Sequence, residues 1–401
     1  MKLNQLHFFS KTLLVSMIVA SCNLKGNSNS DRENREKDTL VHLEPSKIHY
    51  NRLSDSYINE KKSAINRYFT KYWEGPNKNI SFLVAKDGQI IYEKYQGFAD
   101  KKKGTTINYN TPLHIASVSK VLTATAILEL VDAGKISLDQ KANTILKTFP
   151  YPEVTVRHLL SHRSGMRNYA YFTEDKGVWD RKKTISNDDV LRLLGEKKIQ
   201  LESRTNSRFA YCNTNYAILA LIIEKTTGMK YPVAMKKMIF DPLKMTDTYV
   251  FEIEKHRKTA VPSYKASNME LAIDYLDAVY GDKNIYSTPR DLLKFDLARN
   301  SPSFLSKKLR DQIYVGYSNE KKGTRNYGLG IRMLDWESGQ HFYFHNGWWH
   351  GSTSSYITLK KENATIIALS NKYTTLTYKF KDLSPLFGDY PFKKDSNENE
   401  E

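Results

Sequence analysis

The chain has 401 residues, 40% of them hydrophobic, which is enough apolar material for one large domain or two interlocked lobes. Its formal net charge of +17 comes mainly from lysines scattered in short runs such as Lys101-Lys102-Lys103, Lys197-Lys198 and Lys236-Lys237. A nucleic-acid binder gathers such charge on one face with aromatics between, so the scatter argues against nucleic acid and leaves a bias toward anionic surfaces.

The N-terminus begins with Lys2, Phe8, Phe9 and Lys11, then runs through an apolar stretch from Thr12 to Ala20 that is too short to span a membrane. The following Val19-Ala20-Ser21-Cys22 resembles the bacterial lipoprotein cleavage box, which would make Cys22 a lipidated first residue; the alternative is an ordinary secretory peptide cut nearby. Lipidation of Cys22 leaves Cys212 unpaired, so no disulfide framework is expected outside the cytoplasm. The chain therefore divides into a lipoprotein signal peptide over 1–21, a flexible polar tether over 22–44, a globular domain over 45–390 and a disordered charged tail over 391–401. This arrangement predicts a protein of the bacterial cell envelope, held on a membrane by its N-terminal lipid, and a monomer.

Within the domain, helix-like spacing of Leu53, Ile58, Ile65 and Phe69 predicts a helix ending near Trp73. Two strands, Ser81–Ala85 and Gln89–Tyr95, flank Asp87-Gly88, a strong hairpin signal. A long apolar helix carrying Ser117 runs on to Val131 and closes at Gly134. The stretch from about 135 to 270 reads as mostly helical, with helices at 155–160, at 187–194 behind an Asn187 cap, and at 213–227 before Gly228. Ser287-Thr-Pro-Arg-Asp291 opens another helix. Strands follow at 328–334, 341–344, 354–359 and 365–369, and only a weak helical pattern follows Leu383. Strands at both ends of the chain most simply join one antiparallel sheet beside an inserted helical lobe, an α+β fold with its site in the seam.

Ser117 and Lys120 lie three residues apart on one helical face. A serine hydroxyl needs an adjacent base to act as a nucleophile, and Ser-x-x-Lys is one of the acylation signatures. By itself the pattern is weak; its context raises it. Tyr211-Cys-Asn213 lies downstream, although Tyr211 alone reads more often as a core or surface tyrosine and Asn213 as a helix N-cap. His341, His345 and His350 invite a zinc reading, but no acidic or sulfur ligand sits among them in sequence. His158 and His162 read as structural, with His162 bonding loop backbone, and Cys212 reads as a small packed residue.

Taken together, these stretches resemble the serine beta-lactamase-related hydrolases, over about residues 78–372, and most of all the branch of class C beta-lactamases, D-Ala-D-Ala carboxypeptidases and beta-lactamase-like esterases. Ser117-Val-Ser-Lys120, Tyr211-Cys-Asn213 and His345-Asn-Gly347 match that family's three motifs in order. Leu159-Leu-Ser-His-Arg-Ser-Gly165, Tyr286-Ser-Thr-Pro-Arg-Asp291 and Tyr327-Gly-Leu-Gly330 match supporting segments. The resemblance implies a beta-lactamase/transpeptidase-like fold and catalysis by Ser117, Lys120 and Tyr211. Asn213, His345, Gly347 and Trp348 would bind substrate, with Asn213 also bonding Lys120, and His345 contacting a substrate carboxylate or orienting Tyr211. Oxyanion donors would be the N–H of Ser117 and one near Trp348. No cofactor is implied. Where many relatives carry Lys, this chain has His345, which is mostly neutral near pH 7, so efficient penicillin hydrolysis is not expected. The expected substrates are D-amino-acid peptides and small esters ahead of beta-lactams. The alternative reading is a penicillin-recognising or other sensing lipoprotein with little turnover.

Overall fold

The hairpin at Asp87-Gly88 is the edge of a seven-stranded antiparallel sheet assembled from both ends of the chain. The computed structural model describes residues 40–392 except 76, 321 and 322; Cys22, the signal peptide and nearly all of the tail expected over 391–401 lie outside the described residues. We label the principal helices α1 (Asp55–Trp73), α2 (Ser119–Asp132), α3 (Asn187–Glu196), α4 (Asn213–Thr227) and α5 (Pro289–Arg299). The sheet strands are β1 (Ile80–Lys86), β2 (Gln89–Gln96), β3 (Arg325–Tyr327), β4 (Arg332–Asp335), β5 (His341–Trp349), β6 (Ser352–Leu359) and β7 (Ala364–Ser370). Their order across the sheet is β3-β4-β5-β6-β7-β1-β2, so the N-terminal hairpin docks onto β7, with Leu83 opposite Ile367.

Strand alternation separates two cores. Phe82, Val84, Ile357 and Ile366 face α1, where Phe69, Trp73 and Phe380 cover them, and Phe82 stacks on Phe380 at 4.0 Å between ring centroids. Leu83, Ala85, Tyr356 and Ile367 face the other way, into the larger core built around α2 and α4. Both of these helices are buried along almost their whole length. They therefore carry no polar face, unlike α3, which shows its charged side to solvent.

Several boundaries differ from expectation for local physical reasons. The cap of α3 is Ser186, whose hydroxyl accepts the Asp189 N–H while the Asp189 carboxylate returns to Ser186, so the capping box begins one residue before Asn187. Of the predicted strand over 328–334 only 332–334 is strand, in β4; residues 328–331 form the turn that joins β3 to β4. Gly330 has φ +81 there, and a methyl group on it would collide with Ala124 of α2. Leu43, placed in the flexible tether, is buried, and its N–H bonds the Met238 carbonyl at 2.8 Å. Beyond residue 390, the Phe392 ring packs 4.9 Å from Phe342. After Leu376 the chain forms a run of 3-10 turns to Leu386.

Candidate active site

Ser117 sits just before α2, not within it. Ala116–Val118 is a single 3-10 turn, entered through Ala116 at φ +47, a conformation that costs an alanine roughly 1 kcal/mol or more. The turn is held by His114, whose Nδ1 accepts the Ala116 N–H at 3.1 Å and whose Nε2–H reaches Asn284 Oδ1 at 3.0 Å. As a result Ser117 is partly open to solvent, while its N–H has no acceptor among the described residues.

Lys120 follows one turn later and is fully buried. Its Nζ lies 3.1 Å from Ser117 Oγ and donates to the Asp282 carbonyl at 2.7 Å, so the amine is aimed from two sides. It also sits 5.1 Å from the centroid of the Tyr211 ring. The Tyr211 hydroxyl makes no hydrogen bond to Lys120 or Ser117 among the described residues. Lys120 is thus the common neighbour of the serine hydroxyl and the tyrosine ring, with the phenol alongside the amine and not bonded to it. Catalytic hydrogen bonds are often loose before substrate arrives.

His162 positions the Tyr211 segment. Its Nδ1 accepts the backbone N–H of Cys212 at 3.1 Å and the Asn215 side-chain amide at 3.0 Å, which puts the ring proton on Nε2. The ring lies 4.3 Å from that of Tyr211. Burial, with Lys120, His345 and Arg332 nearby, holds its pKa well below the ordinary histidine value, so the imidazole is neutral. Asn213 opens α4, and Cys212, not Asn213, is the N-cap residue, with no side-chain cap bond. The expected bond from Asn213 to Lys120 is absent among the described residues. Instead Asn213 Oδ1 is buried without a partner, an acceptor waiting for a donor. Cys212 is buried in packing, which pushes its thiol up to about 11 and makes it inert.

Beyond Phe344 the ladder between β4 and β5 ends, and the Ser117 turn packs against β5. Gly347 permits this approach: a methyl group on it would lie 2.8 Å from Ser117 N and 2.7 Å from the Ile115 carbonyl. His345 is fully buried beneath the cleft, which corrects the expectation of a carboxylate contact. Its Nδ1–H donates to the Asn346 carbonyl at 2.8 Å and its Nε2 accepts from the Tyr327 hydroxyl at 3.2 Å, leaving no nitrogen for a ligand. Burial and the positive charges of Arg332 and Lys120 keep it neutral. Trp348 does not line the cleft with its ring. Alternation turns its indole away from Gly347; it is 62% exposed and meets Tyr373 at the surface. Trp349 is the cleft-side indole, lying beneath the buried ammonium of Lys283 at 4.6 Å and bonding Asp277 at 2.6 Å.

Two groups near the site carried no local sequence signal. Arg332 holds its guanidinium 4.9 Å from the Tyr211 ring with Nε buried and unpartnered. His350, expected among histidines without acids, closes on Asp277 at 2.9 Å. Asp274, Asp277 and His350 bring three donor atoms within 4.8 Å, but His350 Nε2 already donates its proton to Asp277, the arrangement of an ion pair.

A hydroxyl beside a buried amine, a free N–H at the same serine and a flanking sheet edge define a serine hydrolase. The family model described as Beta-lactamase matches residues 65–383, and the chain belongs to that family. It is 29% identical over 337 residues to penicillin-binding protein 4* of Bacillus subtilis (strain 168), covering 79% of this chain and 73% of that one. It is 24% identical over 286 residues to teichoic acid D-alanine hydrolase of Staphylococcus aureus (strain NCTC 8325 / PS 47), covering 70% and 69%. Among solved structures, FmtA from Staphylococcus aureus superimposes with a TM-score of 0.67 at 21% identity, over 91% of this chain and 96% of that one. EstCE1, a hydrolase with promiscuous acyltransferase activity, does so with a TM-score of 0.68 at 18% identity, over 83% and 99%. At these identities the two structures speak for the fold alone.

Proposed function

We propose that Ser117 attacks the carbonyl of a peptide or ester and carries the acyl group as an ester before water releases it. The observation that carries this reading is the 3.1 Å approach of a wholly buried Lys120 amine to the Ser117 hydroxyl. In its unprotonated form the amine takes the hydroxyl proton as the C–O bond forms. The carbonyl oxygen becomes an oxyanion, received by the Ser117 N–H and a second N–H at Trp348. The proton passes through Lys120 and Tyr211 to the leaving nitrogen or oxygen as its bond to carbon breaks. Water then attacks the acyl-enzyme, and the same groups return the proton to Ser117 Oγ.

The substrate we infer is a peptide ending in a D-amino acid, with small esters next and beta-lactams last. Arg332 supports this order, because an unpartnered guanidinium nitrogen beside Tyr211 suits the terminal carboxylate of such a peptide. Asn213 Oδ1 suits the peptide N–H. The names of the two relatives, a penicillin-binding protein and a D-alanine hydrolase, are consistent with chemistry on D-alanyl carbonyls. We further propose export to the cell envelope with a lipid on Cys22.

Fluorophosphonate labelling followed by a panel of D-Ala-D-Ala peptides, p-nitrophenyl esters and nitrocefin tests the reaction. Labelling that persists in Ser117→Ala would sink the nucleophile assignment, and stable labelling with no turnover of any substrate would favour a sensor. Incorporation of a clickable palmitate analogue into the wild type, lost in Cys22→Ala, tests the anchor.

A further inference from the structure

Past Gly347 the cleft face of β5 continues to Trp349, about 7 Å further along the strand. A chamber of about 330 Å³ opens there, walled by Trp349, His350, Phe251 and the segment ending at Ile273. Arg332 lies toward the other end, where β4 pairs with β5 at Phe344. A substrate whose terminal carboxylate meets Arg332 therefore extends its acyl portion toward the chamber. This placement rests on the reading of Ser117 as the nucleophile.

The chamber's charges are not all equally available. Asp277 is committed to Trp349 Nε1, His350 Nε2 and the Asp274 N–H. Glu270 is engaged by Lys102 at 2.9 Å. His114 spends both nitrogens on Ala116 and Asn284. Among the ionisable side chains of the lining, Arg257 and His350 are left. Arg257 lines the chamber, is exposed, and has no carboxylate within salt-bridge reach among the described residues. His350 Nδ1 makes no hydrogen bond among the described residues, and its other nitrogen is fixed by Asp277. Against the opposing effect of burial, Asp277 holds the His350 pKa above the ordinary histidine value, which favours the imidazolium, the form in which Nδ1 is a donor as well. The remaining walls mix apolar side chains such as Phe251, Val261 and Pro262 with the neutral polar groups of Ser263, Asn284, Tyr286 and Ser352.

We propose that this chamber is a subsite for a carboxylate-bearing side chain on the acyl side of the substrate, read by Arg257 and His350. A guanidinium and an imidazole N–H that line one chamber from different segments suit a carboxylate better than an ammonium or a neutral amide.

The test compares two N-acetylated peptides ending in D-Ala-D-Ala that differ only in the preceding residue, glutamate or glutamine. The glutamate peptide should show kcat/KM about tenfold higher. That ratio should fall to near one in Arg257→Gln and in His350→Gln, and should drop below one in Arg257→Glu, whatever happens to absolute rates. A ratio near one in the wild-type protein, or one that survives all three variants, overturns the chamber. If neither peptide turns over while Ser117 still takes fluorophosphonate, the peptide reading of the site has failed. Calorimetry of both peptides on Ser117→Ala then decides the chamber separately: about tenfold tighter binding of the glutamate peptide upholds it, and equal or undetectable binding of both overturns it.

Discussion

The imidazole of His162 lies 4.3 Å from the phenol ring of Tyr211, and its Nδ1 accepts the N–H of the next residue, Cys212. One neutral ring thus sets both the plane of the phenol and the path of the backbone that carries it. His162→Ala would leave the Cys212 N–H buried and unpaired and open a cavity under Tyr211, costing about 3 kcal/mol of stability. On the proposed proton route through Tyr211 we expect kcat to fall about 100-fold with a much smaller change in KM, since that route loses a proton carrier more than a binding surface. His162→Asn, which keeps an acceptor, should recover part of kcat. Steady-state kinetics with chemical denaturation check both halves; a variant that is destabilised yet keeps wild-type kcat would refute the positioning role.

Gly347→Ala places a methyl group against Ser117 N and the Ile115 carbonyl. The turn cannot recede without moving Ser117 away from Lys120. A displacement of about 1 Å at reacting atoms costs on the order of 100-fold. The expected outcome is a fall of at least that size in kcat/KM on every substrate, together with slowed fluorophosphonate labelling.

Arg332→Gln separates substrates. A terminal carboxylate loses its guanidinium partner, whereas p-nitrophenyl acetate has no carboxylate to lose. Kinetics on both should show kcat/KM for D-Ala-D-Ala peptides falling at least about 30-fold further than for the ester, consistent with loss of a charge-assisted pair. Equal losses would place Arg332 outside the substrate contacts.

Nitrocefin should be turned over slowly, with kcat/KM at least about 100-fold below that of the best peptide or ester. His345 is neutral, buried and already bonded at both nitrogens, so it offers no cation to a beta-lactam carboxylate. Rapid hydrolysis in a spectrophotometric assay would contradict this.

Glu129 of α2 has its pKa pushed up to about 8 by burial, with Asp132 and Glu44 adding like charge. A carboxyl with a folded pKa above its unfolded value near 4.5 favours folding when protonated. Its contribution is therefore lost progressively as pH rises from about 4.5 to about 8. Glu129→Gln should match the wild type near pH 4.5 and melt at least about 3 °C higher at pH 8, as read by scanning calorimetry.

What could be read from the residues alone was mostly what is local in sequence. Ser117 and Lys120 are one helical turn apart, and Asp87-Gly88 is a turn in its own right, so both follow from spacing. The burial of His345 does not, because it depends on Tyr327 and on strands that meet only after folding. Arg332 is one more polar residue on a strand until Tyr211 arrives from 121 positions earlier. His350 reads as a histidine without acids because Asp277 lies 73 residues away in the chain. Strand periodicity does not place His350 either, since β5 ends at Trp349 and His350 turns with φ +51. Trp348 follows the motif glycine in sequence, as the resemblance requires of a substrate-binding residue, yet the pleat sends its ring the other way.

Residues 282–284 hold the amine through the Asp282 carbonyl and the serine turn through Asn284 and His114. A single tripeptide thereby keeps the reacting partners in mutual register, and the preceding stretch, which supplies much of the wall around Arg257, has no direct part in that adjustment. The Arg257 wall of the proposed subsite and the support of the reacting groups therefore come from separate stretches of the chain. Swapping the Ile253–Ile273 segment for a foreign one is a route to new selectivity that leaves the chemical engine tuned.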